Sequence, residues 1–68
     1  MTAEEWIDRF AALIGEEPLS ATTRAELLEL AATAAHASER IAAPIACYLA
    51  GRTGRPVAEL AELATSVH

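Results

Sequence analysis

Lysine is missing altogether from this chain of 68 residues, and cysteine occurs once. Cys47 alone forms no intrachain disulfide, which fits a reducing compartment, so the cytoplasm is the expected location. His36, Cys47 and His68 fall short of a tetrahedral zinc set, so neither a metal nor another cofactor is expected. A chain this short buries only about 60% of the surface it exposes when unfolded. Without a disulfide or a metal, regular helix packing or self-association has to carry the fold. Basic charge is scarce as well: five arginines face ten carboxylates, for a net charge of −5. That balance repels a phosphate backbone and disfavours nucleic-acid binding. No apolar run approaches the roughly 20 residues that cross a bilayer, so no membrane partner is expected. The opening MTAEEWIDRF lacks the basic segment of a signal peptide and reads as the start of the folded domain.

What is present is helix. Thr2 and Glu5 form a capping-box pattern, in which the hydroxyl accepts a free N–H and the carboxylate reaches back. Ala3, Trp6, Ile7, Phe10, Leu13 and Ile14 then recur at helical spacing as one apolar stripe. Gly15 supplies a left-handed stop and Pro18 keeps the linker from continuing, so a first helix is predicted over 3–14. Thr23 and Glu26 repeat the capping pattern, which predicts a second helix over 24–40. On it Glu26, Glu29, Thr33, His36 and Arg40 share roughly 80° of arc, and nearly all the rest is Leu or Ala. A helix so apolar is expected at the centre, surrounded by the others.

Pro44 interrupts this pattern. Inside a continuous helix its ring would meet the carbonyl of Arg40. A break at 41–43, with Pro44 opening a third helix over 44–50, is the simpler account, and a kink in one longer helix is the alternative. Ile41, Ile45, Tyr48 and Leu49 are expected to face inward, with Gly51 as the stop. Pro56 opens a fourth helix over 56–66, with Val57, Leu60, Ala61, Ala64 and Val67 as its buried stripe. The fold class predicted is all-α, a small four-helix orthogonal or irregular bundle around a central apolar helix, in a single domain.

Four side chains in AAHASERIAAP suggest chemistry. His36 and Arg40 lie four residues apart on one predicted face, with Glu29 two turns before them. Ser38 points about 160° from His36, so no nucleophile is in reach, and a hydrolase on His36 and Glu39 is disfavoured. Glu29, His36, Glu39 and Arg40 read instead as a solvated or partner-facing set. Glu39 is placed to pair with Arg40, Arg52 or Arg55 at the turn. GRTGRP puts Arg52 and Arg55 before a helix N-terminus, a setting that suits phosphate, although the spacing matches no nucleotide loop. Cys47 reads as a small core hydrophobe. Trp6 reads as a core anchor, or as an interface residue. Small, acidic and four-helical also describes an acyl carrier, but the Asp-Ser-Leu attachment site is absent.

Trp6 and the run LLELAATAAHASERIAAPIACYLAG at 27–51 resemble a small bacterial family of uncharacterised helical domains. Its pattern of His before Glu-Arg, then Ala-Ala-Pro and Leu-x-Gly, falls on His36, Glu39, Arg40, Ala42, Ala43, Pro44, Leu49 and Gly51. Members of that family stand alone or extend proteins similar to molybdenum-cofactor guanylyltransferases at their C-terminus. The resemblance implies an accessory role in assembling or delivering molybdopterin guanine dinucleotide, with molybdenum-cofactor enzymes as the partners. It implies no catalysis, because the nucleotide loop and metal-binding aspartates of the fused enzyme are not in this chain. The leading expectation is a non-catalytic interaction module that forms a homo-oligomer. The alternative is a binder of phosphate-bearing anions through Arg40, Arg52 and Arg55.

Overall fold

Four helices, named α1 (Ala3–Leu13), α2 (Ala21–Ala37), α3 (Ala42–Thr53) and α4 (Val57–Ala64), make up the computed structural model, which describes residues 1–68. The fold is all-α, an irregular four-helix bundle with α2 at its hub. Both α3 and α4 pack along α2 and meet each other less extensively.

Local chemistry sets α1 as predicted. The Thr2 hydroxyl accepts from the Glu5 N–H at 3.1 Å, and the Glu5 carboxylate accepts from the Thr2 N–H at 3.2 Å. At the other end Gly15 adopts φ +79°. The Glu16 N–H returns to the Ala11 carbonyl at 2.8 Å and the Gly15 N–H to that of Ala12 at 3.2 Å, a Schellman closure. The packing of α1 departs from expectation. No Cα of α1 comes within 8 Å of a Cα on another helix, and its apolar stripe is not buried.

The second helix begins three residues before the predicted start. Ser20, not Thr23, is its cap, accepting from the Thr23 N–H at 3.1 Å. It also ends three residues earlier, at Ala37, so Arg40 lies in the following turn instead of above His36. The break near Pro44 is real and no kinked long helix exists, but it falls at 38–41. Pro44 is the third residue of α3, inside the first turn, where a missing N–H costs nothing.

Gly51 does not stop α3. The helix runs on to Thr53, and Gly54 at φ +70° ends it. A Cβ at Gly51 would meet nothing within 4 Å, whereas Gly54 holds a left-handed backbone. Gly51→Ala should therefore stabilise the domain by about 0.5–1 kcal/mol, and Gly54→Ala should destabilise it by about 1–2 kcal/mol. Thermal melts of the two variants check both signs. Pro56 caps α4, which ends at Ala64, so Val67 lies beyond the helix and is exposed.

The core is small. Leu30 of α2, Ala50 of α3 and Ala61 of α4 are its three buried residues, with Cys47, Leu60 and Ala64 packed against them. The predicted inward face of α3 is inverted: Ile41, Ile45, Tyr48 and Leu49 all point out. Ala43, Ala46 and Cys47 are half-buried and Ala50 is buried instead, with Cys47 and Ala50 against α2. Alanine lets two helix backbones approach closely, and the large aliphatics then have no room between them. On α2 the half-buried side includes Glu26 and Thr33, while Ala21, Ala25, Leu28 and Ala32 are exposed. In place of the polar arc expected on the second helix, α2 has a broad open side of mixed character.

Candidate functional site

The polar side chains around residue 38 are not joined to one another by hydrogen bonds or ion pairs. His36 lies in the last turn of α2, exposed, and Glu29 is exposed two turns earlier. Ser38 closes the helix, donating its hydroxyl to the Ala34 carbonyl at 2.8 Å. Glu39 and Arg40 follow in the turn, whose backbone closes through Ala42 N–H to the Glu39 carbonyl and Ala43 N–H to that of Arg40. Glu39 makes no ion pair with Arg40, Arg52 or Arg55; the ion pairs are Arg24–Asp8 and Arg55–Glu59. Nowhere do three His, Cys, Asp or Glu side chains converge as metal ligands would.

Arg52 and Arg55 each have a partner within the chain. The Arg55 guanidinium pairs with Glu59 one turn into α4, and that of Arg52 lies over the Tyr48 ring, 5.8 Å from its centroid. Thr53 fixes the turn between them. Its hydroxyl donates to the Ala50 carbonyl at 2.7 Å and accepts from the Arg55 N–H at 3.1 Å.

Cys47 points toward α2, with its thiol 3.8 Å from the Leu27 carbonyl. Burial pushes the thiol pKa up. A thiolate is the reactive form, so alkylation at neutral pH should be slower than for a free thiol and should speed up on unfolding. The stability consequence has a definite sign. With the folded pKa above the unfolded one, the native state holds the proton longer, so this contribution is complete below the ordinary thiol range. It is lost as pH rises through the folded pKa. Alkylation rates of native and urea-unfolded protein, with melts on the alkaline side, test the pair of expectations.

The feature that organises the surface is apolar. Along α1, Trp6 and Phe10 stack at 5.3 Å between centroids with 18° between planes, and Leu13 extends the row. Trp6 is 56% exposed and Leu13 84%. Only the opposite side of α1 meets the body. There Ile7 overhangs a groove of about 500 Å³ against Leu19, Ala25, Leu28, Ala31 and Cys47, and Asp8 pairs with Arg24 at 3.4 Å. Trp6 is therefore a surface residue and not a core anchor. A second apolar face runs along the outside of α3 through Ile41, Ile45, Tyr48 and Leu49. Sequence periodicity identified both rows of residues but turned them inward.

The total surface measures what is left uncovered. The accessible area is 5328 Å² for 7.2 kDa. A compact monomer of that mass exposes about 4,100 Å², so roughly 1,200 Å² per chain is in excess. The radius of gyration tells the same story, 12.4 Å against about 11 Å for a compact chain of this length. No helix is long and apolar enough to cross a membrane.

Comparison with known proteins gives a family without a biochemistry. The family model described as a domain of unknown function, DUF6457, matches residues 1–67. No curated protein and no solved structure matches the chain.

Proposed function

This chain belongs to the DUF6457 family, and we propose that it is a non-catalytic interaction module that works as a self-associated unit. The excess of roughly 1,200 Å² of surface over a compact monomer supports this reading above all. Soluble monomers rarely expose contiguous apolar patches beyond a few hundred Å². Here fourteen large hydrophobic side chains remain exposed while a single leucine is buried. An excess of that size on each of two chains amounts to about 2,400 Å² in a pair, within the range of obligate dimers.

The cellular setting in this proposal is molybdopterin guanine dinucleotide assembly or delivery in the bacterial cytoplasm. Its support is the resemblance to C-terminal extensions of molybdenum-cofactor guanylyltransferase-like proteins. In that setting the domain docks, and the transfer chemistry belongs to its partner. Sedimentation equilibrium at micromolar concentration tests the self-association, with about twice the chain mass as the expected result. A strictly monomeric species with high thermal stability overturns it. For the setting, the test is binding of the domain to a purified molybdenum-cofactor guanylyltransferase, and a flat titration overturns that part alone.

A further inference from the structure

The chain presents two uncovered apolar faces, the Trp6–Phe10–Leu13 row of α1 and the Ile41–Ile45–Tyr48–Leu49 face of α3. We infer that each covers the other: the α1 row of one copy docks on the outer face of α3 in a second copy, reciprocally across a two-fold axis. The inference rests on the self-association proposed above and specifies its surfaces.

Three observations favour this pairing over like-with-like contacts. First, the lengths agree. Trp6 to Leu13 runs about 10 Å along its helix and Ile41 to Leu49 about 12 Å, at 1.5 Å per residue. Second, one two-fold axis applied to an α1–α3 contact covers both faces of both copies. An α1–α1 contact leaves the α3 face bare, and an α3–α3 contact leaves the aromatic row bare. Third, the fields are complementary. With Asp8 taken up by Arg24, residues 1–20 keep four unpaired carboxylates (Glu4, Glu5, Glu16, Glu17) and one arginine (Arg9), a net −3. With Arg55 taken up by Glu59, residues 39–55 keep two arginines (Arg40, Arg52) and one carboxylate (Glu39), a net +1. Like-with-like contacts set charge of one sign against itself, whereas the crossed contact sets −3 against +1. Arg9 borders the aromatic row, so the attraction belongs to the segments as wholes and not to one ion pair.

Stacked aromatic rings against branched aliphatics also suit an interface core, where Trp and Tyr dominate the binding energy. Tyr48 carries Arg52 over its ring at the end of the α3 face.

Mixing of variants tests the inference. Trp6→Glu breaks the α1 row and Ile45→Glu breaks the α3 face; neither side chain belongs to the Leu30–Ala50–Ala61 core. Each variant alone should lose dimer, with a Kd raised about thirtyfold or more. An equimolar mixture should recover dimer in part, because the mixed pair gathers both substitutions in one contact and keeps its other α1–α3 contact intact, whereas each variant alone breaks both contacts. Sedimentation with one variant fluorescently labelled reads this directly, and circular dichroism verifies that the helices persist. Phe10→Glu and Tyr48→Glu replace any member of the first pair that loses its helical signal. If one variant dimerises like the unmodified chain, or the mixture recovers nothing, the crossed contact is wrong while self-association stands. Species that keep growing with concentration overturn the two-fold closure. An unmodified chain that is monomeric removes the proposed function itself.

Discussion

Truncating Leu30 to alanine is expected to cost about 3 kcal/mol, enough to leave much of the chain unfolded at room temperature. Leu30 is 5% exposed and is the one large apolar side chain that the fold buries. Ala50 reaches it from α3 and Ala61 from α4, so a single residue of α2 serves as the meeting point of three helices. A domain of this length holds roughly 3–10 kcal/mol in total. Loss of the leucine removes its transfer free energy and leaves a void that small neighbours cannot fill. The control is Leu28→Ala on the same helix. Leu28 is 71% exposed, and its truncation should change stability by no more than about 0.5 kcal/mol. Urea unfolding of both variants at high dilution gives the comparison. A Leu30→Ala loss below about 1 kcal/mol would place the main source of stability elsewhere.

The parts of this fold that local chemistry decides were legible in the sequence. Thr2, Glu5 and Gly15 bound α1 as their side chains and backbone freedom require, and Pro56 opens α4. The start of α2 was not legible in the same way, because Ser20 and Thr23 both carry a hydroxyl suited to capping, three residues apart. The intervening Ala21 and Thr22 show no periodicity to separate them. Starting at Ser20 adds nearly a full turn, sealed by the Arg24 N–H to the Ser20 carbonyl at 3.0 Å. At the far end of α3, Gly51 passes for a stop because glycine disfavours helix. Its cost of about 1 kcal/mol is small enough for the chain to continue to Thr53.

The inverted face of α3 has a different cause. Hydrophobic periodicity ranks isoleucine above alanine and therefore turns Ile41, Ile45, Tyr48 and Leu49 toward the core. Close helix packing ranks them the other way, since the small side allows the nearer approach. Between two alanine-rich helices the second rule decides. Of the candidate site, the polar residues Glu29, His36, Glu39 and Arg40 remain unlinked to one another by hydrogen bonds or ion pairs, and the end of α2 at Ala37 carries Glu39 and Arg40 off the helix face that holds His36. The Arg55–Glu59 pair follows from i,i+4 spacing, whereas Asp8–Arg24 joins two helices and has no local signature. The shortage of cover for an apolar chain was legible, but the location of the uncovered faces was not.

Close approach through alanine makes a second large effect expected: Ala61→Leu should destabilise the domain by about 2 kcal/mol despite adding hydrophobic volume. Ala61 is the most buried residue of the chain, 3% exposed, and lies in the cluster with Leu30 and Ala50. Three further carbons there push α4 away from α2 or force Leu30 out of its rotamer. Ala58→Leu, on the exposed side of α4, should move stability by about 0.5 kcal/mol or less and serves as the comparison. Thermal unfolding of both variants distinguishes a tight contact from a loose one. A rise in Tm for Ala61→Leu would mean that the helices stand far enough apart to take larger side chains. The large residues of α3 could then have been housed inside, and their outward position would need another cause. A fall in Tm ties the two ends of the structure together: alanines draw α3 and α4 onto α2, and the same closeness leaves Ile41, Ile45 and Tyr48 with a place only on the outside, where a second chain can cover them.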